Sequence, residues 1–105
     1  MLNVNSPEVV SWLAGAQKIT EDYFAVNFPN NSRWTLVLQE GPKFLKVCRQ
    51  EAGEVSSVHA FIDRSSGDVL KPASWARPAK HARGNVFDAQ NGLGSMGPYG
   101  PAYLR

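Results

Sequence analysis

Between residues 71 and 85 the chain interleaves four cationic side chains, Lys71, Arg77, Lys80 and Arg83, with His81 and Trp75. Cations at this density can follow a phosphate backbone, and an indole offers a flat stacking face worth roughly 1–3 kcal/mol per base. The planar guanidinium groups of Arg77 and Arg83 could also stack or reach base edges. That chemistry is recognition of a single-stranded nucleic acid. It makes Lys71, Trp75, Arg77, Lys80, His81 and Arg83 the candidate binding residues. The plainer reading is structural: Trp75 folds back onto the domain and the cations keep the segment soluble.

Other constellations carry less. Gly92, Gly94 and Gly97 have the spacing of a dinucleotide-binding fingerprint. That motif needs a strand before the glycines and a helix after them, and Pro98 and Pro101 forbid the helix. Cys48 and His59 could be imagined as a thiolate and its base. Cys48 instead falls mid-strand among apolar neighbours, where a thiol acts as a small hydrophobe, and His59 reads as a packing residue. Asp63 and Asp68 flank a hairpin turn, and two carboxylates make a poor divalent-ion site. The sequence predicts no catalytic residue, no metal site and no cofactor, and the chain is not expected to be an enzyme.

Charge supports the choice of the C-terminal third. The 105 residues carry a net charge of +2. It divides into +1 over residues 1–50, −3 over 51–70 and +4 over 71–105, where Asp88 is the sole acidic residue. Such asymmetry points to an anionic partner. A composition 43% apolar and 19% charged excludes wholesale disorder. No apolar run reaches the ~18–20 residues of a membrane span, no signal peptide opens the chain, and no membrane partner is expected. A single cysteine excludes an internal disulfide.

These residues need a scaffold, and the periodicity supplies one. Residues 6–17 read as a helix, with Ser6 as N-cap, Pro7 in the first turn and Val9, Trp12, Leu13 and Ala16 on one face. After Thr20 the pattern turns to alternation. Strands are predicted over Tyr23–Phe28, 33–39, 43–50 and Val55–Asp63, with a short fifth ending near Lys71. Turn chemistry at 29–32, at Glu40-Gly41-Pro42, at Ala52-Gly53-Glu54 and around Gly67 separates them. Connections this short make an antiparallel meander. The expected class is α+β: an N-terminal helix packed on a four- or five-stranded antiparallel meander or small barrel, followed by an irregular C-terminal wrap. Trp34, Leu36, Leu38, Val58, Ala60 and Ile62 should form the core, with Trp12 and Leu13 against them. Residues 1–88 form the domain; 89–105 are a Gly/Pro-rich tail that Tyr99 and Tyr103 could anchor.

The run from Gly67 to Lys71 continues through Pro72-Ala73-Ser74-Trp75, Pro78 to Asn85 and Phe87-Asp88, then Gly97 to Leu104. In its order of motifs it resembles the C-terminal half of small uncharacterised proteins of tailed bacteriophages. The resemblance covers roughly the last 40 residues and implies a viral protein in the host cytoplasm, with no activity attached. The reading is thus a small accessory protein binding single-stranded nucleic acid. The alternative is a protein–protein module, virion-associated or modulating a host enzyme, using an exposed strand edge, Trp75 and the tail tyrosines. Self-association into a homo-oligomer is compatible with either.

Overall fold

Ser6 and Pro7 open a helix that runs well beyond its first apolar turns. In the computed structural model, which describes residues 1–30 and 34–101, helix α1 spans Pro7–Asn27. Arg33, expected to begin a strand, and Tyr103, expected to anchor the tail, lie outside those residues. The Ser6 hydroxyl does not cap the helix; it accepts from the Asn3 amide at 2.9 Å, while the Ser6 carbonyl receives the Val10 amide.

The strand expected over Tyr23–Phe28 is instead the last part of α1. Val9, Trp12, Ala16, Thr20 and Phe24 form one buried stripe at three- and four-residue spacing. Phe24 completes that stripe, whereas Val26, its partner in the alternating pattern, is exposed. Gly15, which should weaken the helix, lets the Leu93 side chain sit where its Cβ would be.

Five strands follow: β1 (Thr35–Glu40), β2 (Phe44–Glu51), β3 (Glu54–Asp63), β4 (Asp68–Pro72) and β5 (Pro78–Asn85). They pair antiparallel in chain order as an open sheet, not a barrel. Strand β5 corrects the expected irregular wrap, for Pro78–Asn85 lie within the sheet. Its polar and small residues suit an edge strand, which gains by resisting further pairing.

One sheet face meets the helix. Leu36, Leu45, Val47, Ala60, Ile62 and Val69 pack with Val9, Trp12, Ala16 and Val86, and half-buried Leu13 and Leu38 border them. Val58 departs from the expected core. Val47 pairs with Ala60 but Cys48 with Val58, so His59 is an extra residue that reverses the alternation. Val58 therefore joins Phe61, Leu70 and Phe44 on the opposite, outer face. Trp34 is half-buried at the helix end, with the Arg49 guanidinium 4.3 Å from its ring centroid.

Side chains brace the joins. The Gln17 amide donates to Trp34 O at 2.9 Å and accepts from Leu36 N at 2.7 Å, acting as a short substitute strand along β1. Arg64 donates to Leu2 O and Gly41 O, tying the N-terminus to the β1–β2 turn. Gly67 takes φ +82°, and Asp63 accepts the amides of Ser65 and Ser66, the turn role expected of it.

The tail is not wholly irregular. Two short strands, β6 (Met96–Gly97) and β7 (Gly100–Pro101), form a ladder of their own. Three side chains hold this strap by its carbonyls: Thr20 to Pro98, Arg49 to Tyr99 and Lys71 to Pro101. Among the described residues no helix is long and apolar enough to cross a membrane.

Candidate functional site

The register sets a row of side chains across the outer face: Gln39, Lys46, Phe61, Leu70 and Ala82, one from each strand. Phe61 and Leu70 are buried although the helix lies on the other side. Their cover is the β4–β5 loop, residues 73–77, which turns back over the sheet. The loop is closed by the amides of Ala73 and Ser74, both donating to Arg77 O.

Trp75 sits at the tip of that loop and is 53% exposed. The Lys46 ammonium lies 4.7 Å from its ring centroid, and Lys43 lies 5.3 Å from that of Phe44. Two cations thus neighbour two aromatic rings on one face, each near enough for a cation–π attraction. Phe44 meets Phe61 edge to face, with centroids 5.9 Å apart. Shallow clefts flank the loop. One, of about 290 Å³, is lined by Gln39, Lys43, Phe44, Lys46, Phe61 and Ala76 among others; the second runs under Trp75 along Ser56, Val58 and Pro72.

Not all the sequence candidates share this face. Trp75 and Arg77 belong to the loop, and Lys80 and His81 are exposed on β5. Lys71 turns toward the strap, where its ammonium donates to Pro101 O at 3.0 Å. Burial lowers its pKa, and Arg83 and Arg49 add to the effect, so these three cations share one neighbourhood. Arg83 is the extra residue of a bulge between Ala82 and Gly84 and donates to His81 O. Lys43, Phe44 and Lys46 were missed by the sequence reading. A lysine in the middle of an apolar strand, two residues from Phe44, was the available signal, since it marks a half-solvated face.

His59 is fully buried on the helix side, and its Nδ1 accepts from Arg49 Nε at 3.0 Å. Burial, helped by Arg49 and Lys71, holds its pKa down at about 3. The lone pair that a general base would use is already engaged by Arg49. Cys48 faces outward beside Val58 by register, and burial pushes its thiol pKa up, away from a reactive thiolate. Among the described residues no group of three or more His, Cys, Asp and Glu side chains gathers to hold a metal. The Gly92–Gly97 run lies in turns before and within β6.

The chain belongs to a family of unknown function, DUF7717, whose model matches residues 6–96. That match takes in α1 and all five strands of the main sheet. No curated protein and no solved structure matches the chain.

Proposed function

We propose that this DUF7717 protein binds single-stranded nucleic acid on the outer face of its sheet. The observation that carries the reading is Trp75: half-exposed at a loop tip, above an apolar sheet face, with Lys46 beside its ring. A base stacks on the indole, while Lys46, Lys43, Arg77 and Lys80 track the flanking phosphates. A pleated face bearing aromatic rings suits splayed single-stranded bases. Duplex readout calls for an element projecting into a groove, and α1 lies with its buried stripe against the other side of the sheet.

The resemblance of the C-terminal segment to small phage proteins supports placing this binding in the host cytoplasm. A protein partner, the competing reading, could add a strand to the edge at β1. Gln17 already occupies Leu36 N and Trp34 O there, which disfavours that mode.

Trp75→Ala and Trp75→Phe test the proposal in a titration with a fluorescently labelled oligonucleotide. Trp75→Ala should weaken binding about tenfold, a loss within the stacking range, and Trp75→Phe should recover most of it. Melting temperature reads the fold separately. Equal affinity for all three proteins would refute a stacking role for Trp75.

A further inference from the structure

Trp75 is presented by a loop whose two ends are fixed. Pro72 pairs with Pro78 at its base, and Arg77 O accepts from the Ala73 and Ser74 amides at 2.9 and 3.1 Å. Each proline also locks its own φ, which narrows the paths the loop can take. That closure places the Trp75 backbone. The side-chain torsions of a half-exposed indole are settled instead by what the ring touches. Lys46 holds its ammonium over that ring, 4.7 Å from the centroid. Its own position is firm, because β2 is an inner strand and Lys46 pairs with Gln39 on one side and Phe61 on the other. A half-buried lysine keeps its stem along the sheet and carries its charge outward. Among the described residues no carboxylate forms an ion pair with Lys46.

We infer that Lys46 is a positioning residue, holding the Trp75 indole as a preformed stacking platform in addition to lending its charge to the phosphates. The inference rests on the single-strand reading above and gives Lys46 a part that needs no phosphate contact. Only molecules whose indole is correctly turned bind a base directly, so apparent affinity falls with that fraction. An exposed cation–π pair biases such a balance by about two- to fivefold. Lys43 lies over Phe44 instead, 5.3 Å from its centroid, and supplies charge alone.

The test is a double-mutant cycle, read as affinity for a labelled thymidine oligomer of about eight nucleotides. Salt is varied over about 50–200 mM, where a Debye length of roughly 7–14 Å leaves so short a contact largely unscreened. Lys46→Gln should weaken binding through its lost charge and by a further factor of about two to five. In a Trp75→Ala background only the charge loss should remain, since no ring is left to turn. Lys43→Gln should cost the same with and without Trp75. Lys46→Arg, whose guanidinium also stacks on an indole, should restore wild-type affinity. Melting temperatures read the fold separately. The indole ring current should shift the Lys46 methylene protons upfield, in the free protein and in the complex alike. Equal losses from Lys46→Gln in the two backgrounds, or disappearance of that shift on binding, overturns the inference and leaves the single-strand reading standing. Failure of the wild type to bind at the lowest salt overturns both.

Discussion

Acid should unfold this protein earlier than its carboxylates alone require, because His59 folds only in its neutral form. The ring is fully buried, and its Nδ1 receives the Arg49 guanidinium, so protonation there would set two donors against each other. Burial comes first among the causes that lower its pKa from 6.5 to about 3, with Arg49 and Lys71 adding to it. The unfolded chain therefore takes up a proton near pH 6.5 that the native state refuses until about pH 3. The sign follows: stability is complete above pH 6.5 and falls as pH drops through that window. The slope approaches about 1.4 kcal/mol per pH unit, which amounts to about 2 kcal/mol between pH 7 and pH 5. Urea denaturation at pH 7, 6 and 5 measures it, with His59→Gln as control, since glutamine does not titrate. The wild type should lose about 2 kcal/mol over this range and the variant only a small fraction of that. Parallel losses in the two proteins, or a wild-type loss under about half a kcal/mol, would mean that His59 does not set the acid limb of stability.

Leu36→Ala should cost about 2–5 kcal/mol by denaturant midpoint, since Leu36 is buried between the sheet and α1. Gly100→Ala should destabilise the strap by about 1–3 kcal/mol, because φ is +110° there and a Cβ would lie 2.6 Å from His59 O; native-state hydrogen exchange at residues 96–101 would report it. Gln17→Leu should loosen β1 by roughly 1–3 kcal/mol and raise amide exchange at Leu36, whose N–H loses its acceptor.

How much of this was legible depended on where local pattern and tertiary pairing agreed. Strands β2, β3 and β4 were found because their alternation and the turns at Ala52-Gly53 and Gly67 pointed the same way. Residues 23–28 satisfied both periods, since Phe24, Val26 and Phe28 alternate while Phe24 also lies four residues beyond Thr20. Burial of the longer helical stripe decided the outcome. Strand β5 carries no apolar alternation, and Lys80-His81-Ala82-Arg83 is a strand because β4 pairs with it. The bulge at His59 leaves no mark in the sequence, and it alone moved Val58 to the outer face. At the candidate site, the cationic neighbours of Trp75 in the chain are what single it out. Lys46, the cation at its ring, lies 29 positions earlier and needed the fold to bring it there.

The most direct test of single-strand binding is affinity as a function of salt, for a labelled single strand and the matching duplex, with wild type and an Arg77→Ala/Lys80→Ala double variant. Each cation that neutralises a phosphate adds about 0.7 to the slope of log affinity against log salt, so the double variant should lose about 1.4. Both side chains are exposed, so the melting temperature should hardly change. Binding should be tighter to the single strand than to the duplex, with that loss of slope in the double variant. Absence of binding at low salt, or a slope the double variant leaves unchanged, would contradict single-strand binding.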